Sequence, residues 1–374
     1  MQTIIIYGGL IILNGLFGIL NIFSNVKLKK ILLVSIFILI SLVVGLRAWI
    51  VGTDTISYIQ SYITIGSIPI NELSGVGSFA GNERLEIGFV YLIKLLNVVT
   101  NNPQILLLFE AIFLYYTIFI NINKYSLLPF FSVFLMITLG IFITSMNLLR
   151  QAIALGFCLL GYYFWCNNKY LSFWISILIG GLFIHRTAIL FLLLFISKKI
   201  KFNNKAIYCT LIISIIFYYL YVPFFQLVYK IVPYYQNYQN SYNNFGSGKA
   251  SAIFNIIFVL LVLFLGQWAK NNGSFNKIFT YDRWNEMSIM LLLSVLFTFL
   301  SLRFTQVDRI NVYFRVFYIF YIPNCIQILK NKNQKIFFTF IYIFIALIYF
   351  LYILIVKDNW SNIVPYDFFW NIKF

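Results

Sequence analysis

The residues best suited to chemistry are arginines. Of the eight in the chain, Arg47, Arg150, Arg186, Arg303, Arg309 and Arg315 lie inside or at the edge of long apolar runs. A charge at membrane depth costs a few kcal/mol or more, so an ionisable residue there is a functional hypothesis by default. The competing reading, strongest for Arg303 and Arg315, is a side chain that snorkels to the interface. Arginine presents a rigid fork of donors that matches phosphate oxygens in pairs. So many arginines among only 10 acidic residues imply an anionic ligand near the membrane. His185 is the only histidine. Two readings of it stay open, a hydrogen-bonded packing residue or a general base for a sugar hydroxyl. It has no companions with metal-ligand spacing.

The densest motif is Gly45-Leu46-Arg47 followed by Gly52-Thr53-Asp54-Thr55 and Tyr58. Glycine lets the chain turn sharply as it leaves a helix. Asp54 between two threonines can hold a local hydrogen-bonded turn, or simply cap a helix. Glu86-Ile87-Gly88-Phe89 opens a further apolar run, where the plain reading is a carboxylate favoured by a helix N-terminus. Arg150-Gln151-Ala152-Ile153-Ala154, Phe183-Ile184-His185-Arg186-Thr187-Ala188, and Arg309 with Tyr313-Phe314 complete the set. A carboxylate beside arginine has a lowered pKa, so Asp54 and Glu86 are expected to orient partners rather than accept a proton.

These residues must be positioned by helices. The chain is 61% hydrophobic and 10% charged over 374 residues, against about 25% charged for a soluble domain, which predicts an all-α polytopic integral membrane protein. Apolar runs at 2–22, 31–46, 87–99, 104–121, 127–145, 148–165, 171–196, 206–222, 251–269, 285–302, 309–329 and 336–356 predict about 12 transmembrane helices (roughly 11–14) in a single domain over 1–374. That leaves no room for a soluble catalytic domain. The first run lacks a basic leader and a small-residue cleavage site and is expected to be retained.

The net charge of +17 would suggest nucleic acid in a soluble protein, but here the lysines cluster at 27–30, 198–205, 270–283 and 330–335 and mark cytoplasmic loops. No nucleic-acid partner is expected. External loops are then predicted near 47–86 and 221–251, the second crowded with Tyr234, Tyr235, Tyr238 and Tyr242. It reads as an interfacial aromatic belt or as a sugar-binding lid. Arg150 falls on the outer side if 171–196 is two short helices hinged at Gly180–Gly181 and one segment between 87 and 122 fails to cross. Cys158, Cys166, Cys209 and Cys325 read as small buried apolar residues.

The ordered set of motifs resembles the EpsG-type family of exopolysaccharide polymerases, Wzy-like membrane proteins of bacterial polysaccharide loci. The matching pieces are Arg47, Gly52-Thr53-Asp54-Thr55 with Tyr58, Glu86-x-Gly88, Arg150-Gln151-x-x-Ala154, His185-x-Thr187-Ala188, Arg309-x-x-x-Tyr313-Phe314 and Pro365-Tyr366. Two departures stand out: Arg186 beside the histidine, and a Gly/Ser-rich stretch before Glu86. The resemblance implies a GT-C-like membrane glycosyltransferase at the outer face of the bacterial inner membrane. Its substrate would be an undecaprenyl-diphosphate-linked oligosaccharide, transferred to the non-reducing end of another such repeat, and a chain-length regulator would be a natural partner. In that setting Arg47, Arg150, Arg309 and Arg186 are expected to bind the diphosphate. Thr53, Thr55, Tyr58, Gln151 and Tyr313 would position substrate and acceptor, with His185, Asp54 and Glu86 as the catalytic set. Arg47 and Arg150 would act from the external side. Guanidinium groups can offset the charge of a leaving diphosphate by electrostatic preorganisation, so no metal or cofactor is expected.

Other classes remain to be distinguished. A flippase for lipid-linked glycans also needs basic residues and many spans, but should spread them along a central cavity. A ligase of the O-antigen type differs only in its acceptor. A membrane O-acyltransferase should carry more histidines.

Overall fold

Lipid offers no hydrogen-bond partners, so long apolar segments satisfy their own backbone as helices. The computed structural model describes residues 2–75, 85–231, 249–356 and 361–371. Within these residues the chain is helical, with no named strand. It forms two compact units, 1–190 with 339–374, and 191–338.

The first unit holds α1 (Gln2–Phe23), α2 (Val26–Gly45), α3 (Thr55–Ser67), α4 (Ile87–Val99), α5 (Gln104–Tyr125), α6 (Pro129–Thr138), α7 (Ile141–Asn147), α8 (Leu149–Cys166) and α9 (Tyr170–Leu178). A π-helical turn over Ile179–Ile184 follows, then an extended His185 and a 3-10 helix, Arg186–Lys198, that runs into the second unit. The second unit contains α10 (Asn204–Tyr219), α11 (Tyr221–Ile231), α12 (Lys249–Asn272), α13 (Tyr281–Ser301), α14 (Val307–Arg315) and α15 (Tyr318–Ile328). The last helix, α16 (Lys332–Val356), ends in the first unit.

Asn25 starts α2 by accepting from the Leu28 N–H at 2.9 Å, which satisfies one of the donors left open at a helix start. Twenty residues at about 1.5 Å each reach about 30 Å, the thickness of the hydrocarbon layer. The outer faces of α1 and α16 expose Ile4, Ile12, Leu16, Phe340 and Phe344, as lipid-facing surfaces do. Their inner faces close on buried Tyr7, Leu10, Tyr342 and Phe350.

Among the described residues, seven helices are long and apolar enough to cross a membrane, or nine if each of two bent pairs counts as one span. The protein is therefore a multi-pass membrane protein, with fewer clear spans than the twelve apolar runs suggest. With each bent pair counted as one span, three runs account for the difference. Residues 87–99 give only 13 helical residues, which reach about 20 Å. The run 309–329 breaks between α14 and α15, because α14 carries Asp308, Arg309 and Arg315 and is amphipathic. The run 171–196 breaks as well, but at His185 rather than at Gly180–Gly181, which lie within the π turn. Cys158 and Cys325 are buried as expected, whereas Cys166 is half-buried and Cys209, on α10, is exposed. The tyrosines at 234–242 and the Gly/Ser-rich stretch before Glu86 lie outside the described residues.

Candidate active site

Four separated sequence motifs meet in the first unit. The Glu86 carboxylate, at the start of α4, takes an ion pair from Arg150 of α8, with Nη1 2.7 Å from Oε2. Its other oxygen lies 3.6 Å from His185 Nδ1. That contact is long for a hydrogen bond but close for charge attraction. The Arg186 backbone N–H donates to the same Oε1 at 3.4 Å. Glu86 makes no cap to its own helix, so the plain N-terminal reading gives way to a tertiary one.

Local structure explains why these groups converge. The π turn followed by one extended residue swings the His185 side chain off the helical path, and such π turns recur at functional sites. Gly88 allows this segment to lie against α4, since a Cβ there would stand 2.3 Å from Phe183 Cβ. Tyr58 of α3 borders the pair, its ring centroid 5.9 Å from the Arg150 guanidinium carbon. Glu86 and Arg150 are each 8% exposed, His185 24%, and the Arg186 side chain is exposed. The cluster is thus a buried ion pair with a partly accessible imidazole and an outward arginine. Burial works to raise the Glu86 pKa, but His185 and the Arg150 charge more than offset it and hold the carboxyl at about 2. It is therefore ionised at any working pH. Because its folded value lies below the ordinary 4.5, the stabilisation it gives is present above about pH 4.5 and is lost as pH falls towards 2.

The turn at 52–55 docks on the corner between α7 and α8. The Thr53 N–H and hydroxyl both donate to Asn147 Oδ1, at 2.7 and 3.0 Å. The buried Thr55 hydroxyl lies 3.2 Å from the Met146 carbonyl. Gly52 has φ +97 and a Cβ there would meet Met146 O at 2.3 Å. Gly52→Ala should accordingly cost about 1–3 kcal/mol, read as a lower Tm of the detergent-purified protein; an unchanged Tm would show that the turn is not held as described. Asp54 sits at the N-cap of α3 without a side-chain cap bond.

Arg47 is elsewhere in this unit, and its place differs from the expectation. Its side chain is fully enclosed and pairs with Glu110 of α5 at 3.4 Å, while Nη1 donates to Val44 O at 2.5 Å. Direct contact with a diphosphate would require the guanidinium to leave this pair. Gln104 fixes the same stretch from α5, donating to the carbonyls of Gly45 (2.6 Å) and Arg47 (3.1 Å). Gln151 is buried in α8. Arg309, exposed, and Tyr313, fully buried, belong to α14 of the second unit.

Sequence reasoning missed Glu110, Gln104 and Asn147. Glu110 could have been found, since it is the sole acid in the apolar run 104–121 and an intramembrane acid is a signal by itself. Asn147 and Gln104 carry no such mark. Among the described residues no group of three or more His, Cys, Asp and Glu could hold a metal ion.

A helical chain with several membrane-length helices and a buried Arg–Glu pair beside a histidine at helix ends is a polytopic membrane protein with a polar site built from helix termini. The EpsG family matches residues 30–368, and the chain belongs to that family, of the polysaccharide-polymerase type. No curated protein and no solved structure matches it.

Proposed function

We propose that the protein is a glycosyltransferase that polymerises undecaprenyl-diphosphate-linked oligosaccharide repeats at the outer face of the bacterial inner membrane, with a GT-C-like architecture. The observation that carries this is the Glu86–Arg150–His185 cluster in a member of the EpsG family. In the reaction, a hydroxyl on the non-reducing sugar of one repeat attacks the anomeric carbon of another. The bond from that carbon to the lipid diphosphate breaks, and the diphosphate departs with the electron pair.

Each residue has a part that its chemistry supports. Ionised Glu86 faces Nδ1 of His185 and favours a proton there, which leaves Nε2 as the lone pair that takes the acceptor's proton. The imidazolium formed is stabilised by the same carboxylate. Arg186, exposed beside His185, meets the diphosphate, and Arg150 adds positive potential from beneath. Thr53, Thr55, Tyr58 and Gln151 line or support the acceptor side, and Asp54 orients the turn. Arg47 acts through the fold. A chain-length regulator would work beside it.

The test is chain growth by the purified protein in lipid nanodiscs, given the lipid-linked repeat that accumulates in a polymerase-deficient producing strain. A ladder of products is expected. Movement of the repeat across a bilayer without chain growth would make the protein a flippase instead. In the same assay Glu86→Gln should lower turnover by about tenfold or more by misplacing Arg150 and His185. Since Glu86 is already ionised, raising the pH to about 9 should not restore the variant; recovery there would assign Glu86 a direct role in proton transfer.

A further inference from the structure

Residues 361–371 lie along the 46–52 stretch of the first unit. Arg47 and Phe368 form an antiparallel bridge, flanked by Ala48 N–H donating to Asp367 O at 2.9 Å and Phe369 N–H donating to Leu46 O at 3.0 Å. Further along, Gly52 N–H donates to Asn362 O at 2.8 Å, and the Asn362 side-chain amide returns a bond to Ile50 O at 2.8 Å. The segment is anchored beneath as well. Tyr366, 1% exposed, donates its hydroxyl to Val43 O at 2.6 Å and its N–H to Thr3 Oγ1 at 2.8 Å. The Tyr7 hydroxyl donates to Ile363 O at 3.1 Å.

Two features go beyond simple packing. Asn362 has φ +46, a conformation that non-glycine residues adopt uncommonly and asparagine best tolerates. The docking edge is pinned by the fully buried Arg47–Glu110 pair. Such a pair is poor evidence for stability, because well-packed apolar residues often do as well. Its use here matches a need to fix one backbone register. The path then runs from Asn362 to Gly52 and from the adjoining Thr53 to Asn147, which is the last residue of α7 and is joined through Leu148 to α8, whose second residue is Arg150.

We infer that residues 362–369 are a fixed strap that positions the Gly52–Thr55 turn and, through Asn147, the Arg150 end of α8, with Asn362 a positioning residue for the reaction proposed above. The inference rests on that reading for its functional part only. The coupling itself can be measured without any substrate.

Asn362→Gly suits the positive φ and removes the bond to Ile50. In the full-length protein in nanodiscs it should speed hydrogen exchange at Gly52 and Thr53 by about tenfold. With the accumulated lipid-linked repeat as probe, kcat should fall about tenfold while KM stays within about twofold. Leu46 and Phe369 stand opposite one another across the bridge, so Leu46→Cys with Phe369→Cys can lock the strap by a disulfide. The lock alone should leave turnover unchanged, and in the Asn362→Gly background it should restore kcat, which a general loss of stability would not predict. Loss of turnover on oxidation, regained on reduction, would make the segment a lid that must open and overturn the proposal. Faster exchange with unchanged kcat would equally overturn it, leaving the polymerase reading intact. No chain growth by the unaltered protein would instead count against the polymerase reading, and the exchange result would still decide the coupling.

Discussion

Arg150→Ala should abolish polymer, a loss of 10²-fold or more by the usual worth of one preorganised charge at a developing anion, while single lipid-linked repeats accumulate. Part of that loss would be structural. Arg150 and Glu86 are each 8% exposed at 2.7 Å, and removing one member of a buried pair costs about 3–5 kcal/mol through the orphaned charge. Arg150→Met with Glu86→Gln separates the two effects, because neither charge is then left alone. The double variant should return to the parent's folded yield and still make no polymer. Arg150→Lys keeps the charge but not the planar fork, and should retain at most a small fraction of turnover. Full-length polymer from the double variant would remove Arg150 and Glu86 from the reaction. Arg47 provides the contrast, since it is enclosed with Glu110: variants there should lose folded protein and activity together.

His185→Ala should reduce kcat by about 10²–10⁴-fold, the range for a positioned general base, with little change in folded yield, since the imidazole is 24% exposed and not part of the core. Chemical rescue makes the test specific: added imidazole should restore part of the turnover of His185→Ala, because it supplies the missing base from solution. Substantial turnover by His185→Ala without imidazole would return His185 to a packing role and send the search for the base to Asp54 and the tyrosines.

Residue types and hydropathy pattern identify the class of this protein and single out several of the residues that the fold brings together around Glu86. Runs of apolar residues about 20 long, with lysines gathered between them, can only be accommodated as helices in lipid. An arginine inside such a run needs a partner, which marks Arg150 and Arg47 alike, while His185, Glu86 and the Gly52–Thr55 turn stand out by residue type and place. What the sequence could not determine was which of these residues touch. Glu86 and Arg150 are 64 positions apart and Glu86 and Arg186 are 100 apart; Gly52 and Asn362 meet from opposite ends of the chain. Residue type did not separate Arg47 from Arg150 either: one is sealed against Glu110, the other meets Glu86 beside a partly exposed histidine. Hydrophobic pattern reports which residues enter a helix and which face they share, because those follow from local backbone geometry. Pairing between helices depends on how ridges, glycines and breaks let separate segments approach, as Gly88 does for Phe183 and the π turn does for His185. That packing is a property of the whole assembled unit, so only the tertiary structure could decide it.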